Sequence, residues 1–190
     1  MDNKLANPAP LGLMGFGITT VLLNIHNAGF FPVSAMVLAM GIFYGGIAQI
    51  IAGVMEFKKG NTFGTTAFTS YGLFWLTLVA TWVIPGLNPP NGGRTPEYYM
   101  GFYLFLWGLF TFFMWFGTFH KNRVLQFVFL SLTILFWLLA ARDWTGSVLI
   151  GHAAGFEGIV CGLSAVYLAM AEVLNEGRPR PVLPIGEIRR

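Results

Sequence analysis

The chain has 190 residues, 55% of them hydrophobic and only 10% charged, with a formal net charge of +3. A soluble domain is usually about a quarter charged, so this chain has too few charges to coat a water-facing surface, and a soluble globular domain is excluded. Its basic residues lie in loops and tail rather than on one face or helix, so a nucleic-acid partner is not expected. Cys161 stands alone inside an apolar run, which leaves no intrachain disulfide framework.

A membrane-spanning helix needs about 20 mostly apolar residues. Six such segments fit within residues 1–176 as one bundle, with residues 177–190 as a tail. The expected fold class is therefore all-α: a polytopic membrane protein of six transmembrane helices with both termini cytoplasmic.

The first span is expected over residues 8–23, ending at the polar turn of Asn24, His26, Asn27 and Gly29. Residues 11–23 have the length of a signal-peptide core, but only Lys4 precedes them and no small-x-small pattern follows, so they read as a first helix. The second span covers 32–55, with Pro32 as a first-turn proline, and is closed by Glu56, Lys58, Lys59 and Gly60. The third runs over 66–84 and stops at Pro85-Gly86, before a loop containing Pro89, Pro90, Gly92 and Gly93. Thr95, Pro96 and Glu97 offer a cap, a first-turn proline and an acid at a positive helix end, which predicts a fourth span over 96–118. His120, Lys121, Asn122 and Arg123 turn the chain into a fifth span over 124–141, and a sixth covers 148–174. The tail, with Arg178, Arg180, Arg189 and Arg190 among prolines, reads as extended.

Cytoplasmic loops carry an excess of Lys and Arg. With the N-terminus inside, Lys4, Lys58, Lys59, Lys121, Arg123, Arg178, Arg180, Arg189 and Arg190 are cytoplasmic, and only Arg94 and Arg142 lie outside. Nine against two sets the orientation.

Small residues let helices approach closely in lipid. Gly41 and Gly45 on the second span, and Gly151, Gly155, Gly158 and Gly162 on the sixth, therefore mark expected contacts, against the simpler reading that glycine is frequent in membrane helices. The phenylalanines of the fourth and fifth spans, including Phe102, Phe113, Phe129 and Phe136, read as facing lipid or a neighbouring subunit.

Polar groups inside a membrane are costly, so their positions carry functional information. Glu157 is the only acid at depth, about nine residues into the sixth span, or roughly 13 Å at 1.5 Å per residue. A carboxyl there is expected to be protonated or hydrogen-bonded, and is either a proton or selectivity site or a neutral group satisfied by a neighbour. Gln49, Thr69, Ser70 and Ser131, with Thr77, Thr81, Thr133 and Ser164, offer neutral hydrogen-bonding groups for a path, although a lone Ser or Thr more often bonds its own helix backbone. No nucleophile-base pair or metal-ligand spacing appears, so neither an enzyme nor a cofactor or metal is expected.

The string Asn7-Pro8-Ala9-Pro10-Leu11-Gly12-Leu13 resembles the signature of the acetate uptake transporter family, the succinate-acetate permeases. The likeness continues through Gly15-Phe16-Gly17, Gly41 to Gln49, Gly60 to Gly64, Phe68-Thr69-Ser70-Tyr71-Gly72, Arg123 to Phe127 and Tyr167 to Met170, over nearly the whole chain. The resemblance implies a six-helix protomer that passes acetate, and in some members succinate, across the bacterial inner membrane. It also implies homo-oligomers, hexameric in the family, with a pore in each protomer. The family's hydrophobic constriction matches Phe16, Tyr71 and Leu132 here, and Asn7, Pro8, Ala9, Pro10, Leu11 and Gly12 become candidate substrate contacts beside Gln49, Thr69, Ser70 and Ser131. Glu157 departs from the neutral residue expected there.

The expected depths are compatible with the ring that the resemblance implies. Phe16, Tyr71 and Leu132 each lie about 5 to 9 residues beyond the expected start of an outward-running helix, or roughly 8 to 14 Å deep. The resemblance makes acetate-like anions the expected solutes, with channel and proton symporter both open. A carboxylate sensor that moves nothing is the alternative from another class.

Overall fold

In the computed structural model, residues 5–87 and 93–188 are described. Lys4, Arg189 and Arg190 of the charge count, and Pro89, Pro90 and Gly92 of the long loop, lie outside them. The described residues contain no strand and six helices long and apolar enough to cross a membrane: α1 (Ala9–Asn27), α2 (Ala35–Lys58), α3 (Thr62–Leu87), α4 (Glu97–Phe116), α5 (Arg123–Thr145) and α6 (Val148–Asn175).

Most departures from the expected ends have a local cause. α1 continues through Asn24, His26 and Asn27 and breaks only at Gly29, where φ is +91°. Asn24 costs nothing inside the helix because its Nδ2 donates to the Thr20 carbonyl at 2.9 Å. Pro32 lies before α2, which starts after Ser34. α3 begins four residues earlier than expected because Asn61 caps it, accepting from Gly64 N at 3.2 Å, and such a cap stabilises a helix by about 1 kcal/mol. Thr95 does not cap α4; the helix starts at Glu97 directly after Pro96. Asn122 starts α5 by accepting from Leu125 N at 2.8 Å, and Gly146 ends it in the left-handed conformation at φ +66°. Arg142 and Asp143, expected beyond this span, are still helical.

Within α2, Gly41–Ala48 is π-helical. Such wide turns are rare in proteins and shift the angular register of the residues after them. Gln49, immediately beyond, leads a buried stripe of Gln49, Ala52, Gly53 and Glu56. Glu56, expected to close the span at the surface, is fully buried.

Glycines set the helix contacts. A Cβ on Gly17 would sit 2.8 Å from the Gly162 carbonyl oxygen, and one on Gly162 would sit 2.7 Å from that of Gly17, so α1 and α6 touch backbone to backbone. Gly155 and Gly158 face Ala28 and Asn24 along the same seam, which makes the α6 glycine pattern an intraprotomer contact. α3 and α4 are bridged instead by aromatic side chains, with Phe74 stacked on Tyr103 at 5.8 Å and Tyr71 edge-on to Phe110 at 5.6 Å. Phe113 and Phe102 are exposed as expected, whereas Phe129 and Phe136 are buried in the bundle core.

The tail does not hang free. Asn175 Oδ1 accepts from Leu183 N at 3.1 Å, and Tyr167 donates to the Pro184 carbonyl at 2.8 Å. Arg123 N donates to the Gly186 carbonyl at 2.9 Å and Ile188 N to that of Lys121 at 3.3 Å. Ile185 packs beside Leu13, Phe68 and Leu168, so this segment straps the end of the bundle from which α1, α3 and α5 start.

Candidate functional site

Phe16 on α1, Tyr71 on α3 and Leu132 on α5 are 7%, 4% and 4% exposed and line one small cavity. Each is joined there by residues one turn earlier: Leu13, then Ala67 and Phe68, then Val128 and Phe129. These are the i−3 and i−4 positions that share a helix face. The cavity measures about 20 Å³, room for about one water molecule. The Phe16 and Tyr71 rings lie 6.2 Å apart, and Tyr71 meets Phe129 edge-on at 6.1 Å. Tyr71 donates its hydroxyl to Thr111 Oγ1 at 2.9 Å, and Thr111 donates to the Trp107 carbonyl at 2.7 Å, so α4 fixes the ring from behind. Gln49 is the polar exception in this neck; its buried Oε1 has no hydrogen-bond partner among the described residues.

Two larger chambers flank the neck. The inner one, about 420 Å³, shares Leu13, Ala67, Phe68 and Phe129 with it and opens among Asn7, Lys59, Asn61, Lys121, Glu172 and Glu187. Asn7 donates to Glu172 Oε2 at 2.8 Å and accepts from Lys59 Nζ at 2.8 Å, while Lys121 sits 4.8 Å over the Phe63 ring. The outer chamber, about 500 Å³, is floored by Leu23, Phe74, Leu78, Leu104 and Leu139. Phe74, one turn beyond Tyr71, meets Phe136 edge-on at 5.1 Å and contributes an aromatic layer between neck and outer chamber. The cation on this chamber's lining is already paired: Arg142 bonds Asp143 Oδ1 at 2.6 Å and Asn27 Oδ1 at 3.3 Å.

The structure thus brings Phe16, Tyr71, Leu132 and Gln49 together and sets Asn7 and Ala9 on the inner chamber. Other expected contacts lie elsewhere. Pro8 is buried at the start of α1, Pro10 is half-buried beside it, and Leu11 is turned outward. Gly12 lies under the Phe68 ring and Thr69 against Gly53 in the α2–α3 seam. Ser70 opens onto a lateral groove with Tyr103, Leu106, Trp107 and Phe110. Ser131 donates to the Glu157 carboxylate between α5 and α6, and neither residue lines the neck or the two chambers. Thr77, Thr81, Thr133 and Ser164 bond carbonyls of their own helices, the commoner outcome for such residues.

Sequence reasoning missed Leu13, Ala67, Phe68, Val128 and Phe129, although helical spacing back from Phe16, Tyr71 and Leu132 points to each. It also missed Glu56 and Asn61, which line the inner chamber.

Known proteins share this architecture. The GPR1/FUN34/yaaH family pattern matches residues 1–185. The "Succinate-acetate/proton symporter SatP" of Escherichia coli K12 is 62% identical over 186 residues, covering 98% of each chain. "Acetate permease A" of Emericella nidulans is 34% identical over 96% of this chain and 66% of its own length. The solved structure described as "Structure of the bacterial acetate channel SatP" superimposes with a TM-score of 0.93 at 63% identity, covering 96% of this chain and 100% of that one.

Proposed function

This chain belongs to the GPR1/FUN34/yaaH family, and from that premise we propose that it carries small carboxylate anions, chiefly the monocarboxylate acetate and more slowly the dicarboxylate succinate, through a pore within each protomer. The observation that carries the reading is the apolar neck between two larger chambers, lined by Phe16, Tyr71 and Leu132 from three separate helices. An apolar constriction gates by dewetting, so a small anion must shed part of its hydration there and larger or doubly charged solutes are disfavoured. Weak contacts at Gln49 and in the chambers suit fast exit.

The basic residues support the orientation. Lys59 and Lys121 both line the inner chamber, which supports placing that end of the bundle at the cytoplasm, where Lys and Arg of the loops concentrate. The membrane is the bacterial inner membrane in this reading, and the protomers form a homo-oligomer, hexameric as in the family, through exposed apolar faces such as that bearing Phe113 and Phe116.

Purified protein in liposomes at about pH 8, where little undissociated acid remains to leak through lipid, should take up labelled acetate well above empty vesicles. Uptake equal to empty vesicles would remove the reading, and binding without flux would replace it by a carboxylate sensor. Proton-coupled passage is the second reading, favoured by the name of the Escherichia coli relative and by the carboxyls on the inner chamber.

A further inference from the structure

Glu56 occupies a place that an apolar neck does not explain. It lies seven residues beyond Gln49 on the buried stripe of α2, two helical turns or roughly 10 Å from the neck along the axis. It is 0% exposed although only two residues from the end of its helix. Its Oε2 accepts from Asn61 Nδ2 at 2.7 Å, but its buried Oε1 has no hydrogen-bond partner among the described residues. Leaving one oxygen of a buried carboxylate unpaired is costly.

The charges around it are nearly but not fully balanced. Lys59 follows it just past the end of α2, Glu172 faces it from α6, Lys121 from the α4–α5 turn and Glu187 from the C-terminal strap; Asn7, Asn61 and Asn122 are the neutral polar neighbours. Three carboxyls therefore meet two ammonium groups, and an arriving acetate would add a fourth negative charge. In a chamber walled partly by Leu13, Phe68 and Phe129, that charge is screened far less than in bulk water.

We propose that Glu56 is the proton-accepting group of the inner chamber, and that acetate and one proton bind there together. The proposal rests on the reading of the chain as an acetate permease. A proton taken from the inner solution onto Glu56 Oε1 restores the charge balance that held before acetate arrived. It also turns an oxygen that only accepts into an O–H that donates to the acetate carboxylate, so repulsion becomes a charge-assisted hydrogen bond. Glu157, the only acid expected at depth, also keeps one buried oxygen without a partner among the described residues, its Oε2, while Oε1 accepts from Ser131, but it lines neither the neck nor either chamber.

The test is acetate affinity measured by calorimetry on the purified full chain between about pH 5.5 and 8.5. One proton taken up per acetate makes the wild-type affinity weaken about tenfold per pH unit over the upper part of that range. Glu56→Gln, which keeps an oxygen for Asn61, should show a flat profile, whereas Glu157→Gln should keep the wild-type slope. A wild-type slope in Glu56→Gln, or a flat wild-type profile, overturns the proposal. If Glu56→Gln does not fold, Glu172→Gln decides: acetate should bind several-fold tighter because one negative charge has left the chamber, but the tenfold-per-pH-unit slope should remain, and a flat profile in Glu172→Gln assigns the proton to Glu172 and overturns the proposal. A wild-type protein that neither binds nor moves acetate would instead remove the permease reading itself.

Discussion

The Phe16 and Tyr71 rings face one another at 6.2 Å with a 44° tilt, closing the neck from two helices that start at the same end of the bundle. Because both side chains sit over a space that holds about one water, truncating either widens the narrowest point. Phe16→Ala and Tyr71→Ala should therefore raise the flux of larger monocarboxylates relative to acetate several-fold in liposomes. An unchanged ratio in a folded variant would take that residue out of the constriction.

Tyr71→Phe separates the hydroxyl from the ring. It removes the bond to Thr111, which keeps its own bond to the Trp107 carbonyl, so about 1 kcal/mol of stability should be lost. For a chain of this size that is a fall of about 2–4 °C in melting temperature. Solute selectivity should stay as in the wild type, since the neck keeps its shape. A selectivity change without a stability change would mean that the hydroxyl itself meets the solute.

Gly17→Ala should damage folding more than its single methyl suggests. The new Cβ would meet the Gly162 carbonyl oxygen at 2.8 Å, and backbone cannot swing aside as a side chain can. Overpacking of this kind costs about 1–3 kcal/mol, seen as lower yield and a lower melting temperature in detergent. Gly146→Ala, where the left-handed φ strains the backbone but nothing lies within 4 Å, should cost less.

Glu157→Gln should leave acetate flux and its pH dependence unaltered. The amide oxygen still accepts from Ser131, and the group lines neither chamber nor the neck. Loss of flux in a folded Glu157→Gln protein would require a path along the α5–α6 face.

The six spans are legible in the sequence because hydropathy reports membrane crossing directly, but their ends are not. Asn24, His26, Arg142 and Asp143 resemble breakers, yet their polar atoms find partners within the helices or around the outer chamber, as with Arg142 on Asp143 and Asn27. Depth along a helix is also readable from sequence, whereas angular direction is not. Glu157 sits near mid-span as expected but turns to Ser131, and Ser70 turns to the lateral groove while its neighbour Tyr71 turns inward. Phe129 reads as lipid-facing by composition, although its spacing from Leu132 places it in the neck. Glu56 is hidden by its neighbours: next to Lys58 and Lys59 it resembles a surface charge, and only the packing of α3 and α6 over it makes it a buried one.

The most direct test of the neck as the route fills it. Ala67 lines the neck with a single methyl, and Ser70, three residues on, opens onto the lateral groove instead. Labelled acetate uptake should be measured in liposomes carrying folded Ala67→Phe or Ser70→Phe protein at equal amounts. Uptake should fall to that of empty vesicles for Ala67→Phe and persist for Ser70→Phe; wild-type uptake through Ala67→Phe would contradict the account.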